Sequence, residues 1–129
     1  MKRDLPDTLD TEHWPTELRH KTAERRLEVD FDTGEKFSFP AELLRVESPS
    51  AEVQGHNPSQ KQIVAGKRTV GIRALEPVGN YAVRIVFDDG HETGLFSWKY
   101  LFELGQRQDD TWRTYLSALE QRGLSRDRA

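Results

Sequence analysis

The 129-residue chain has no cysteine, a single methionine, and no apolar run near the roughly 20 residues of a membrane-spanning helix. The missing cysteine excludes disulfides and any thiolate-held metal, and it fits a cytoplasmic protein. No positively charged start is followed by an apolar stretch, which points away from a secretory signal. Positive charge is not in excess either. The formal net charge of −3 argues against nonspecific nucleic-acid binding, which depends on neutralising phosphates. A G-x-S-x-G elbow, a phosphate-cradling glycine loop and an H-E-x-x-H helix are all absent, so no catalytic constellation can be named and no enzyme is expected.

What remains is a chain 35% hydrophobic and 32% charged, the balance of one soluble domain with a charged surface. Residues 1–24 are polar and aperiodic, and read as a loosely ordered arm pinned by Leu5, Trp14 and Leu18. Leu27, Val29 and Phe31 then alternate with charged residues, Asp32-Thr33-Gly34 turns the chain, and Phe37 and Phe39 return, which predicts a hairpin. Pro40 opens a short helix that Glu47-Ser48-Pro49-Ser50 stops. Residues 47–66 read as a long surface loop. A strand through Val70, Ile72 and Ala74 ends before Pro77, and Gly79-Asn80 leads into a strand over Tyr81 to Phe87. Asp89-Gly90 is a hairpin dipeptide, and Leu95 and Phe96 make a short last strand.

Ser97 is placed to cap a helix in which Trp98, Leu101 and Phe102 share a face, with Gly105 at its end. A final helix opens on Asp109 and Asp110 and carries the stripe Trp112, Tyr115, Leu116 and Leu119. Residues 25–123 form the expected single domain, and 124–129 a frayed tail. The fold class is α+β: a mainly antiparallel sheet, a short helix after the first hairpin and two C-terminal helices.

His13 and His20 fall in the arm and read as solvated. His56 and His91 each follow a glycine, in the long loop and the second hairpin. Were they to converge, Glu52, Asp88, Asp89 or Glu92 would complete an iron or zinc site. Arg45, Arg73 and Arg84 suit forked recognition of an acidic partner, with a solvated, cross-strand-paired face as the alternative for the sheet arginines. Tyr81, Phe96 and Trp98 are candidates to line an apolar small-molecule pocket, with core packing as the alternative.

The motifs LRVESPSAEVQGH (44–56) and PVGNYAVRIVFDDGHETGLFSWKYL (77–101) resemble the DUF971 family, the gamma-butyrobetaine hydroxylase-like N-terminal domain, over about Leu27 to Leu104. The resemblance implies a small, largely β unit and a stand-alone bacterial member. In that family the domain also occurs fused to iron–sulfur carrier ATPases and ahead of carnitine-pathway dioxygenases. In those dioxygenases it holds a structural zinc through three cysteines and a histidine. Those positions fall here on Ser48, Ser50, Val53 and His91, so three of the four ligands are replaced.

The leading expectation is a non-catalytic accessory domain that docks on a protein through Arg45, Glu52, His56, Arg84, His91 and Trp98. An iron–sulfur carrier ATPase or related assembly protein, or a dioxygenase, is the implied partner; no cofactor, nucleic acid or membrane is expected. A metal module built on His56, His91 and a carboxylate is the first alternative, and a small-molecule recognition domain the second.

Overall fold

The computed structural model describes residues 13–128. The chain runs β1 (Pro15–Lys21), β2 (Arg26–Phe31), β3 (Lys36–Pro40), α1 (Ala41–Val46), α2 (Ala51–Gln54), a 3-10 turn (Pro58–Gln60), β4 (Ile72–Val78), β5 (Ala82–Phe87), β6 (Leu95–Ser97), α3 (Trp98–Gln106) and α4 (Gln108–Gln121). It is an α+β fold with two three-stranded antiparallel sheets, ordered β1-β2-β3 and β4-β5-β6, rather than one.

Strands β2 and β5 are central because their apolar side chains have a core to enter. Leu27, Val29 and Phe31 meet Val83, Ile85 and Phe87 in one cluster that also takes Leu43 and Leu44 from α1, Phe96 from β6 and Leu101 from α3. Each fully buried side chain of this size contributes about 1.5–3 kcal/mol before chain entropy is subtracted. A second, smaller cluster joins Val46, Tyr115 and Leu119, with Ile63, Val64 and Trp112 packed on it.

Several sequence expectations are corrected. The supposed arm contains β1, paired with β2 from Lys21↔Arg26 to Pro15↔Phe31; residues 1–12, with Leu5, lie outside the described residues. Leu18 is the single apolar residue inside β1 that packs on the core, so no alternation marks the strand. Backbone pairing holds it instead, aided by the Arg19 fork on Asp30 at 2.9 and 2.9 Å and by its Nε bond to Glu28. His13 is not simply solvated: its ring stacks on Phe102 at 3.7 Å and its Nδ1 lies 3.0 Å from Thr33 Oγ1. His20 Nε2 is buried without a hydrogen-bond partner among the described residues.

Residues 47–66 are not open loop. They include α2 and the 3-10 turn, and Ser48, Ser50 and Val53 are buried. Strand β4 runs through Pro77 to Val78, because Pro77 sits on an edge strand where its missing N–H costs no ladder bond. Ser97 caps α3 as expected, its Oγ accepting from Tyr100 N at 3.0 Å. Helix α3 continues past Gly105 to Gln106, and the glycine leaves room for Phe37, which packs directly over that position. Leu116 is 37% exposed and leaves the α4 stripe to Trp112, Tyr115 and Leu119. Residues 124–128 are pinned rather than frayed: Gly66 N and Arg68 N donate to Ser125 O and Arg126 O, and Arg126 forks onto Glu42. No helix among the described residues is long and apolar enough to cross a membrane.

Candidate functional site

The β5–β6 connection is built to aim an imidazole inward. Gly90 takes φ +95, a conformation open to glycine, so the chain reverses within Asp89-Gly90 and Phe87 N donates to His91 O at 2.9 Å. Asp89 Oδ1 then accepts from His91 N at 3.0 Å, which sets the direction of the next side chain. From the other side, α1 ends at Glu47, Pro49 forces the chain to extend, and Ser50 begins α2.

These two segments close on each other. His91 Nε2 lies 2.9 Å from Ser48 Oγ and 3.3 Å from Ser50 Oγ, and its Nδ1 lies 3.2 Å from Glu52 Oε2. Glu52 can only accept, so Nδ1 is the donor toward it, and in the neutral ring Nε2 is then the acceptor for the serine hydroxyls. Glu52 Oε2 also accepts from Thr93 Oγ1 at 2.9 Å. Beside this, Asp89 Oδ2 receives Arg45 Nε at 2.8 Å and Lys67 Nζ at 2.6 Å. Together these bonds form a clasp between the α1–α2 corner and the hairpin. Gly94 completes it, because a side chain there would run into Ser48 Oγ and come within 3.2 Å of Phe96 Cε1.

Hydroxyl, imidazole and carboxylate stand in the order of a nucleophilic triad. Ser48, however, is 0% exposed, with Gly94 and Pro49 packed over it, so its hydroxyl faces protein rather than substrate. Burial and the nearby Arg45 hold the His91 imidazole below the usual histidine range, outweighing Glu52 and Asp89; Lys67 adds to the lowering. Burial alone would raise the Asp89 carboxyl, but bonds from Lys67, the His91 amide and Arg45 win and bring it down to about 2.

A histidine that binds its proton more weakly folded than unfolded adds stability above its ordinary value, about 6.5, and loses that stability as pH falls below it. Urea midpoints are therefore expected to drop between pH 7 and pH 5, and His91→Gln is expected to flatten that slope. An equal slope in the variant would assign the effect elsewhere.

Of the residues singled out from sequence, Arg45, Glu52 and His91 are brought together. His56 is not. It is exposed, its amide donates to Gln60 Oε1 at 2.9 Å, and both His91 ring nitrogens are engaged by other side chains. Arg84 forms the cross-strand pair, with Glu76 at 2.9 Å, and Arg73 is exposed. Trp98 donates from Nε1 to Asn80 O at 2.9 Å, and Phe96 is fully buried in the main core, which leaves its ring unavailable to a ligand. Lys67 was not singled out as a functional residue, and Asp89 only as a possible metal carboxylate, since a salt bridge between segments so far apart leaves no local pattern.

The resemblance set Ser48, Ser50, Val53 and His91 as one group, and the structure does join Ser48, Ser50 and His91. The group does not fit zinc. Two neutral hydroxyls and the hydrocarbon of Val53, 2% exposed, stand where deprotonated ligands are needed, and Nε2 already accepts from the hydroxyls. Among the described residues no group of three or more His, Asp or Glu is arranged to hold a metal ion.

A family model described as gamma-butyrobetaine hydroxylase-like, N-terminal, matches residues 18–102. Two protein structures solved by NMR in solution are 48% and 45% identical to the chain, with TM-scores of 0.79 and 0.77. The first match covers 95% of this chain and 89% of the other, and the second 89% and 90%. A crystal structure from Acidithiobacillus ferrooxidans, a protein of unknown function in the DUF971 family, is 42% identical with a TM-score of 0.60, over 70% of this chain and 91% of that one. No curated protein matches.

Proposed function

Since the chain belongs to the gamma-butyrobetaine hydroxylase-like N-terminal, or DUF971, family, we propose that it is a non-catalytic accessory domain that docks on a protein partner through the outer surface of the clasp. The observation that carries this is the buried imidazole of His91, which ties residues 48–52 to the 88–94 hairpin. Two segments far apart in sequence thereby become one surface, with Glu52, Asp88, Glu92 and Thr93 exposed on it. The inner residues of the clasp are spent on holding this surface in shape, and a preformed surface avoids an ordering cost on binding.

The burial of Ser48 supports a non-catalytic role, and the donor chemistry supports a domain that works without a cofactor. By family likeness the partner is an iron–sulfur carrier ATPase or related assembly protein in the cytoplasm. The test is binding of the purified chain to the ATPase of the same cell. Saturable binding is expected, weakened about tenfold or more by Glu92→Arg with Asp88→Ala, two exposed hairpin positions whose side chains lie outside the clasp's internal bonds. No saturable binding, or equal affinity in a variant with an unchanged melting temperature, would reject the proposal.

A further inference from the structure

Residues 124–128 lie in a groove whose chemistry is specific. Glu42, in the first turn of α1, is 6% exposed, yet it is a full carboxylate fork for Arg126: Nε to Oε2 at 2.9 Å and Nη2 to Oε1 at 2.7 Å. The same guanidinium lies over the Trp112 ring, 5.1 Å from its centroid. On either side of the arginine the backbone is read as well, with Gly66 N donating to Ser125 O at 2.9 Å and Arg68 N to Arg126 O at 3.0 Å. Arg68 then pairs with Asp127. Carboxylate floor, aromatic wall and two backbone donors together recognise a short segment that bends at one arginine, with Asp127 N donating to Ser125 Oγ at 3.0 Å.

The occupying strap is weakly anchored otherwise. Its one large apolar side chain, Leu124, is 43% exposed, and it leaves α4 through Gly123 at φ +65, a joint suited to glycine. We propose that this groove is a binding site for a short, arginine-bearing turn segment of a partner protein, and that residues 124–128 occupy it as a built-in competitor. The site is separate from the clasp surface and stands whether or not that surface docks a partner.

The test uses the full chain carrying Arg126→Ala and a synthetic peptide of residues 124–128. The variant is expected to melt about 5 °C lower, and millimolar peptide to restore at least half of that fall. The same peptide with citrulline in place of its arginines is expected to restore nothing, as is the normal peptide when Glu42→Gln is added. A folded variant that the peptide leaves unmoved overturns the proposal. Should Arg126→Ala fail to fold, amide exchange on the wild type decides. Gly66 and Arg68 amides exchanging at least a hundredfold faster than those of β5 support a strap that opens by itself. Equal protection means that it leaves only on global unfolding, and overturns the proposal.

Discussion

Replacing His91 with alanine is expected to cost about 3 kcal/mol of folding stability, measured by urea unfolding at pH 7.5. Two effects add. The imidazole, 6% exposed as a side chain, leaves a void beneath the hairpin, and the void cannot fill because Phe87 and Phe96 are already packed. The Ser48 and Ser50 hydroxyls meanwhile lose their shared acceptor at positions 0% and 5% exposed. The two hydroxyls share one acceptor, whose loss costs about 1–2 kcal/mol, so the polar loss matches the packing loss. His91→Gln, which keeps a hydrogen-bonding side chain of similar reach, is expected to recover part of the cost. A loss below about 1 kcal/mol in His91→Ala would mean that the clasp is a surface ornament rather than a structural joint.

Gly105→Ala is the second large effect, and its sign is a contest. Within a helix, alanine is favoured over glycine by about 1 kcal/mol. Against that, a methyl at position 105 would stand 2.5 Å from Phe37 Cγ and 2.7 Å from Cδ1, at the near end of the ring rather than its flexible tip. Phe37 cannot move inward, because its ring is packed edge-on against Phe31 and Phe102, and moving outward would give up those contacts. Overpacking of this kind costs about 3 kcal/mol, so a net loss near 2 kcal/mol is expected. Pairing the change with Phe37→Leu is expected to return much of it, and a double variant no more stable than Gly105→Ala would reject the steric account.

The same glycine shows why parts of the fold were legible and others not. Strands β2, β3 and β5 announced themselves because alternate residues enter one core, the pattern that a half-buried strand must have. Gly105 suggested a helix end, since glycine usually stops helices; here it serves a close approach that only the tertiary structure creates. Strand β1 was hidden because backbone bonds and the Arg19 network hold it, with Leu18 alone packing inward. The clasp was half visible. The Gly90 turn that places His91 was legible, but its imidazole was expected to face a partner, and nothing in sequence spacing joins it to Ser48 across 43 positions. The strap was missed altogether, because a short charged segment looks solvated until its arginine is seen to answer a buried carboxylate.

Helix α1 is six residues long, and its two ends serve different masters. Glu42 forms the floor under the strap, and Arg45, on the adjoining turn of the same face, grips Asp89 in the hairpin. The 66–68 segment repeats the connection, with Gly66 and Arg68 bonded to the strap and Lys67 to Asp89. So short a lever cannot tilt at one end and stay still at the other. The strap and the hairpin thus rest on the same short helix and the same 66–68 segment, and a partner that displaced one would act on supports shared with the other.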